Sequence, residues 1–348
     1  MDRVAIDLGG INSQVCVRSG DGKVKLERKI ATRRLRDFFA TIEPSVVILE
    51  TCAEAMAVAG QAKAYGHDVR IVPATLVRSL GVGARGVKTD ERDAQALSAA
   101  SCRVELQSVH IPSSRAWELK QLMGAREALV HSRTLLCNHV KGQLRSQLLR
   151  VRAIPQRLPQ AVRRLLLEKR QGMPLHLERV LKSLEVLTEQ ILEANKEIAR
   201  IAKSDPVCRR MMTVPGVGPI TSLRFLSTVD DPTRFKKAHQ LESYLGLTPG
   251  EDSSSSRQRR TGITKAGSSA VRWTLVEAAW SFCRSRPEDP AAIWCKDMAK
   301  RRGKKIAVVA LARKLAGILF AIWRDGTNYE PSRTARAATI SGGDQLAA

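Results

Sequence analysis

The sequence predicts an N-terminal α/β domain, then a helical coiled-coil arm, then a mostly helical C-terminal domain. Short β-rich runs alternate with helical stretches from Arg3 to about Ala100. Strand signals vanish between about Trp117 and Ile201, where apolar residues recur at alternating spacings of three and four. That periodicity is typical of helices that pack along one seam. The predicted boundaries are 1–110 for the α/β domain, 111–204 for the arm, 205–330 for the C-terminal domain and 331–348 for a tail.

Eight elements are expected in the first domain. The first three are strands joined by turns that contain Gly or Asn, which predicts an antiparallel meander. They lie at Val4–Asp7, Gln14–Arg18 and Lys23–Ile30. A helix, a strand, a helix, a strand and a helix follow at Arg33–Thr41, Val46–Glu50, Glu54–Tyr65, Val69–Val72 and Asp90–Ala100. The order βββαβαβα is that of the ribonuclease H fold, although order alone does not exclude the related actin-like fold.

The predicted arm carries a heptad seam that must pair with another helix, either in this chain or in a second copy. Within this chain the antiparallel partner is expected at Leu122–Leu148. The run Lys141–Arg170 holds nine basic residues and one acid, which favours contact with nucleic acid, although a solvated helical face has the same composition. The seam consists of Leu177, Val180, Leu184, Leu187, Ile191, Ala194, Ile198 and Ile201.

The C-terminal region opens with a Pro-Gly-Val-Gly turn. This turn resembles the hairpin of a helix-hairpin-helix element, in which Gly216 and Gly218 would let backbone N–H groups point at a phosphate. An ordinary helix connection is the alternative. Two further stretches are basic, Arg257–Arg272 and Lys300–Lys314, and the tail from Pro331 has the composition of a disordered segment.

Composition narrows the class of protein. The chain has 348 residues, of which 43% are hydrophobic, enough to bury a core and to exclude a wholly disordered protein. Lys and Arg number 58 against 34 Asp and Glu, a net charge of +24 that indicates a polyanionic partner. Nucleic acid is the commonest such partner, and an acidic membrane surface is the weaker alternative. No apolar run predicts a membrane span or a signal peptide, so a cytoplasmic protein is expected.

Cysteines, histidines and tryptophans suggest no further site. The seven cysteines never form a C-x-x-C pair, so we expect reduced, mostly buried thiols and neither a zinc site nor a disulfide framework. His131 and His139 lack metal-ligand spacing. The tryptophans Trp273, Trp280 and Trp323 lie in helical apolar patterns and are expected in the core.

Four acids stand where secondary-structure elements begin or end. Asp7 and Glu50 end strands that are expected to be neighbours, and Asp90 and Asp93 lie three residues apart on the last helix of the domain, hence on one face. Clustered carboxylates repel one another unless a hard cation lies among them, and two Mg²⁺ ions about 4 Å apart can hold a phosphodiester under attack. The acids therefore predict a nuclease-like site for Mg²⁺ or Mn²⁺. The alternative is that Asp90 merely caps a helix and that Glu50 faces solvent.

Two separated blocks of sequence resemble a known family. The first block contains AIDLGG, VILET and GVKTDERDAQAL, and the second contains VPGVGPITSLRFL and LESYLGLTPGEDSSSSRQRRTGITKAGSSAVRWTLVEAA. The chain resembles the DEDD transposases of the bacterial insertion-sequence 110 family, which also includes the Piv-type DNA invertases. The resemblance covers nearly the whole chain and implies a RuvC-like catalytic domain, a helical arm and a C-terminal transposase domain. The family's four acids fall on Asp7, Glu50, Asp90 and Asp93.

A serine-rich loop follows Gly246-Leu-Thr-Pro249. A serine hydroxyl can attack a phosphate and form a phosphoserine link, although by composition a serine run is usually a flexible loop. The resemblance implies a serine nucleophile here, with Ser254 as the expected residue and Ser253 as the second candidate. The family's Ser-Ser-Gly is Ser-Ser-Ser in this chain, and Ser268 replaces the family's Asn. The nearby cations expected to contact nucleic acid are Arg257, Arg259, Arg260 and Lys265.

The resemblance also implies partners. Family members select their DNA through a structured RNA from the element's own end, so donor DNA, target DNA and such an RNA are the implied partners. The heptad arm itself predicts a dimer or tetramer, since exchange of strands between two DNA sites needs catalytic centres on both, and the protein is expected at the bacterial nucleoid when it acts. Two other functions compete. An actin-like ATPase or sugar kinase would need a second DxG phosphate loop, which the sequence does not show, and it leaves the +24 charge unexplained. A non-catalytic DNA-bridging protein would work without metal.

Overall fold

The computed structural model describes residues 1–74, 76, 90–103, 106–251 and 260–331, with the side chains of residues 90–93 and 260 outside the description. Its internal contacts divide the chain into two compact units, Met1–Pro112 and Ser113–Ala348. The fold is mixed α/β and mostly helical. The tail expected to be disordered, residues 331–348, lies outside the described ranges except for Pro331.

The first unit is built on one mixed five-stranded sheet. The strands are β1 (Arg3–Asp7), β2 (Asn12–Arg18), β3 (Val24–Ala31), β4 (Val46–Glu50) and β5 (Asp68–Val72). Their spatial order is β3-β2-β1-β4-β5. Strands β1, β2 and β3 pair antiparallel, whereas β4 pairs parallel with both β1 and β5. The predicted meander is confirmed, and the strand order is consistent with a ribonuclease H-like domain.

Helices cover both faces of this sheet because successive strand residues point to opposite sides. Ile6 and Leu49 share a buried cluster with Phe39 on one face, whereas Ala5 shares a cluster with Leu97 on the other. Helices α1 and α2 therefore cover the first face and α3 covers the second. The helices are α1 (Leu35–Thr41), α2 (Ala55–Ala64) and α3 (Asp90–Arg103), so the described elements follow the predicted order.

The described part of the second unit contains nine α-helices, two short 3-10 helices and one β-hairpin. The long helices of the arm are α4 (Ser114–Ser146) and α6 (Leu175–Ser204), with α5 (Leu158–Glu168) between them. The remaining helices are α7 (Pro206–Met211), α8 (Pro219–Val229), α9 (Ala238–Tyr244), α10 (Ser269–Ser285), α11 (Pro290–Arg302) and α12 (Lys304–Asp325). The hairpin strands are β6 (Pro249–Glu251) and β7 (Arg260–Ile263).

Helix α12 lies at the centre of the C-terminal core. Its residues Leu311, Leu315 and Leu319 are fully buried in one cluster with residues of α8 and α10. Among the described residues α12 is the one helix whose length and apolar composition would suit a membrane span. Half of the apolar stretch of this helix is buried inside the protein, as is usual for a core helix.

Helices α4 and α6 pair antiparallel, as the sequence predicts. Leu144 and Leu177 belong to one buried cluster, Met123 and Ile198 belong to another, and the Arg126 side chain donates to Asn195 Oδ1 at 3.0 Å. Residues late in α4 thus contact residues early in α6, and residues early in α4 contact residues late in α6. The partner predicted within this chain is confirmed, and pairing with a second copy stays a prediction.

The buried seam of α6 differs from the predicted one at half of its positions. Leu181 is fully buried although the heptad pattern omits it, because it shares a cluster with Leu158 and Val162 of α5. The packing of α5 against the end of the arm therefore shifts the buried face. Ala202 is also buried outside the predicted seam. The predicted positions that are only half-buried are Val180, Leu187, Ala194 and Ile201.

The predictions for tryptophan and cysteine are mostly correct. Trp280 and Trp323 pack against the core, but Trp273 is 60% exposed, so its assignment to the core is wrong. Helix α10 buries the face that carries Thr274 and Leu275, and Trp273 lies off that face. All seven cysteines are free thiols; four of them, Cys16, Cys137, Cys208 and Cys295, are buried and Cys52 is exposed.

Candidate functional site

Two of the four predicted acids lie at adjoining strand ends. Strands β1 and β4 pair parallel with Ile6 opposite Leu49, so the next step along both strands brings Asp7 level with Glu50. Each acid lies two residues after a side chain that packs on the α3 face, Ala5 and Ile48 respectively. Because strand side chains alternate, Asp7 and Glu50 lie on that same face. Both residues are half-buried.

The other two acids open helix α3. The helix begins at Asp90, Asp93 stands in its first turn, and the helix packs against β1 and β2. The side chains of both acids lie outside the described residues. Among the described side chains no group of three His, Cys, Asp or Glu could hold a metal ion. The structure thus brings together one pair of the predicted tetrad, and the full tetrad stays a prediction.

The turn after Asp7 is held by contacts that sequence reasoning missed. A Cβ atom on Gly9 would overlap the carbonyl oxygen of Asn12, so only glycine fits there. The Thr32 hydroxyl donates to the Gly9 carbonyl at 2.6 Å and lies 2.8 Å from the Ser13 hydroxyl. These bonds tie the turn to the end of β3. The glycine pair was the only sequence signal for this arrangement.

The serine-rich loop connects the two strands of the β6–β7 hairpin. Pro249 pairs with Ile263 and Glu251 pairs with Arg260 across the hairpin. The loop itself, residues 252–259, lies outside the described residues, and with it the predicted nucleophile Ser254, its alternative Ser253, and the cations Arg257 and Arg259. Arg260 begins β7. Lys265 is exposed and its N–H donates to the Gly246 carbonyl at 3.1 Å.

The base of this hairpin is tightly packed. Gly246 and Gly267 both have positive φ, +69° and +67°, and a Cβ atom on Gly267 would overlap the Tyr244 carbonyl oxygen. Arg272 of α10 donates from Nη1 to the carbonyls of Leu245 and Gly267, each at 3.1 Å. The sequence assigned Arg272 only to a basic stretch, and no local signal indicates this role. The hairpin therefore stands on a base fixed to the start of α10.

The predicted helix-hairpin-helix turn joins α7 to α8. Gly216 has φ +78°, and a Cβ atom there would lie 2.7 Å from the Phe282 nitrogen of α10. Its glycine is required for packing against that helix. Gly218 precedes α8, has no side-chain cap and has open space where a Cβ would lie. Contact of either glycine with nucleic acid stays a prediction.

Most basic residues at the far end of the arm, which we define as residues 141–170, are exposed. Lys141 and Arg163 are half-buried, and the Arg163 guanidinium bonds Glu185 at 2.5 Å and Glu178 at 2.8 Å. These hydrogen bonds, first to Glu185 and then to Glu178, raise the pKa of Arg163. Arg163 therefore joins α5 to α6. The exposed cations of this run are Arg145, Arg150, Arg152, Arg157, Arg164, Lys169 and Arg170.

Family models match two ranges of the chain. A model described as "Transposase IS116/IS110/IS902 family" matches residues 208–293, which contain the turn before α8, the hairpin and α10. A model of the DEDD type for IS110, described as "Transposase", matches residues 4–149, which contain all four predicted acids.

Similar proteins extend the match to most of the chain. A probable family 20 transposase of Pseudomonas aeruginosa is 29% identical, over 95% of this chain and 99% of its own length. The transposase for insertion sequence element IS1111A of Coxiella burnetii is 28% identical, over 92% and 88% respectively. The transposase for element IS1328 of Yersinia enterocolitica is 26% identical, over 94% and 98%.

These matches favour the transposase hypothesis over an actin-like ATPase, a sugar kinase or a non-catalytic bridging protein. The matched ranges include the strand ends with Asp7 and Glu50, the arm, and the β6–β7 hairpin, in the expected order along one chain. The chain belongs to the IS116/IS110/IS902 family of transposases, and it is a DNA transposase.

Proposed function

We propose that this transposase cuts and rejoins DNA with divalent ions held by Asp7, Glu50, Asp90 and Asp93 in a RuvC-like domain. One observation carries the proposal: the parallel pairing of β1 and β4 brings Asp7 level with Glu50 on the face that α3 covers. Since α3 begins with the other two acids, all four belong to elements that pack together.

The residues suit the proposed ions. All four donors are carboxylates, which hard cations such as Mg²⁺ or Mn²⁺ prefer, and DEDD transposase domains typically use divalent metal ions. When bound, such ions polarise the scissile phosphate and stabilise the charge that develops on it. The protein contributes fixed carboxylates, because the turn after Asp7 is tied to Thr32 and Glu50 ends a fully paired central strand.

We place the nucleophile on the loop between β6 and β7, at Ser254. Its oxygen would form a bond to phosphorus while the bond from phosphorus to one strand end breaks. The serine proton is lost to solvent, and the released strand end takes up a proton as a free hydroxyl. A hydroxyl of the incoming strand then attacks the phosphoserine and restores the serine. Support comes from the fixed base of the hairpin, where Arg272 holds the chain on both sides of the loop.

The arm supplies the surface for the other proposed partners. Its far end carries exposed cations from Arg145 to Arg170, which suit a phosphate backbone. We assign this surface to a structured guide RNA. The arm also exposes apolar side chains that a second copy would cover in a dimer or tetramer, including Leu135, Val186 and Leu192.

The full-length protein can be tested with labelled DNA of the element's end, Mg²⁺ and RNA transcribed from the flanking sequence. We expect a protein–DNA adduct on a denaturing gel that requires both the metal and the RNA. Cleavage that releases free DNA without an adduct would contradict the serine step. An adduct that forms equally well in EDTA would contradict the metal site.

A further inference from the structure

A cavity of about 200 Å³ lies between α4, α8 and the base of the hairpin, all within the second unit. Two cationic side chains, Lys120 and Arg224, line it together with hydroxyl-bearing residues. A water molecule takes up about 30 Å³ of liquid, so this cavity has room for a small polyatomic anion and several waters. The hydroxyl-bearing residues are Ser227, Thr228, Tyr244 and Ser268.

Arg224 is the most deeply buried of these charges. The residue is only 8% exposed, and its Nε is buried with no hydrogen-bond partner among the described residues. Its other nitrogens lie 3.1 Å from Glu127 Oε2 and 3.5 Å from the Met123 carbonyl. Glu127 is half-exposed, so its carboxylate balances the charge of Arg224 from the solvent side. A buried guanidinium donor without a partner is costly unless a ligand accepts from it.

Lys120 adds a second cation to the lining of the cavity. Burial lowers the pKa of Lys120; the Asp230 carboxylate opposes this shift, and Arg234 adds a smaller lowering effect. Within the described part of the chain, Lys120 makes no ion pair. An anion in the cavity would favour the charged form of Lys120 against the cost of its burial.

The start of α10 supplies a third favourable contact. Ser268 is the N-cap of this 17-residue helix, and its side chain makes no capping hydrogen bond. The unpaired N–H groups and positive end of a helix dipole favour an anion at this position. Ser268 directly follows Gly267, so the cavity borders the base of the β6–β7 hairpin, which carries the serine-rich loop.

We propose that this cavity binds a phosphate group, and that in the working transposase it holds a backbone phosphate of duplex DNA beside the serine hairpin. The DNA part of the proposal rests on the proposed function, whereas binding of a phosphate group does not. A tetrahedral phosphate offers several acceptor oxygens, enough for Arg224, Lys120 and the start of α10 at once.

Inorganic phosphate is the first probe. Melting of the full-length protein is followed against phosphate concentration, with chloride keeping the ionic strength constant. We expect a saturable rise in melting temperature. Lys120→Met should abolish the saturable part. Lys314→Met is the matched control, because burial also lowers the pKa of Lys314 while that residue lines a different cavity.

A second variant tests the cavity without removing a cation. Gly124 lines the cavity and has open space where a Cβ would lie, so Gly124→Asp places a carboxylate there without a clash. We expect it to abolish the phosphate effect as well. An equal rise in the wild type and in both cavity variants would overturn the proposal.

Duplex DNA is the second probe, measured in EDTA so that neither the acids nor Ser254 can react. Loss of one phosphate contact in Lys120→Met should reduce the slope of log affinity against log salt by about 1, with Lys314→Met unchanged. If the phosphate effect is lost but the DNA slope is not, the cavity takes free phosphate and the DNA assignment is wrong. Because no cleavage is measured, failure of the serine or metal mechanism would leave this result unaffected.

Discussion

Gly246 packs against Ala266 so closely that a Cβ atom at position 246 would overlap both the carbonyl oxygen and the nitrogen of Ala266. This contact joins the segment before β6 to the segment after β7. The N–H of Thr264 also donates to the Thr248 carbonyl at 2.9 Å, just above the contact. The two chain segments that lead into and out of the serine-rich loop therefore cannot separate without losing several backbone bonds.

Replacement of Gly246 should disable the serine loop. We expect Gly246→Ala to abolish strand transfer and to lower stability by about 1 kcal/mol or more, since the residue needs positive φ and has no space for a Cβ. Gly262→Ala, in β7 of the same hairpin, has open space and serves as the control. Melting temperature and adduct formation measure both effects. Full strand transfer by Gly246→Ala would show that the packing of the base is unimportant.

The covalent adduct identifies the nucleophile. Ser254→Ala should lose both the protein–DNA adduct and recombination, whereas Ser255→Ala and Ser256→Ala should have mild effects. A lost nucleophile leaves only binding and electrostatic effects, so we expect at least a 1,000-fold drop in rate, on the order seen for other covalent catalysts. Peptide mapping of the adduct decides the residue. DNA attached to Ser253 would keep the mechanism and move the assignment by one residue.

The acids should be required for chemistry and not for binding. We expect Asp7→Asn, Glu50→Gln, Asp90→Asn and Asp93→Asn each to reduce cleavage at least 100-fold, because even residues that only orient metal ligands change activity by about 10- to 100-fold. DNA and RNA affinity should stay near the wild-type value, since the basic surfaces are intact. Normal cleavage by two or more of these variants would refute the tetrad.

The structure changes how the arm must be tested. Leu184 is fully buried against α4 within the same chain, so Leu184→Ala should destabilise the arm itself by about 2–5 kcal/mol. Val186 and Leu192 are 59% and 51% exposed. The pair Val186→Lys and Leu192→Lys should leave the fold intact and weaken self-association at least about tenfold. Mass measurement in solution decides this, and an unchanged oligomer would exclude this surface as the interface.

The ion pair of Arg163 with Glu178 should make the arm sensitive to acid. The hydrogen bond from Arg163 lowers the pKa of Glu178 in the folded protein. Its stabilisation is therefore complete above the unfolded pKa of about 4.3 and is lost as the pH falls through the lower folded value. Arg163→Met should melt below the wild type at pH 7, and the difference should narrow below about pH 4. Arg164→Met, an exposed neighbour, should melt like the wild type at either pH.

The sequence by itself determined the order of the elements and the location of the first two acids. Successive side chains of a strand point to opposite faces, so the sequence predicts which residues of β1 and β4 share a face. An acid that interrupts an apolar run indicates that the strand ends there. The antiparallel pairing of α4 with α6 was also predictable, because a heptad seam needs a partner and the chain offers one nearby.

Only the tertiary structure decided which side chains are buried and which distant residues meet. Trp273 was wrongly assigned to the core, because it lies off the face that α10 buries. Leu181 was left out of the predicted seam, because its burial depends on α5, which a local pattern does not show. Lys120, Arg224 and Ser268 share one cavity although more than a hundred residues separate the first two. Such sites arise from long-range packing, which balances apolar burial over a whole unit, whereas periodicity reports only the preference of one segment.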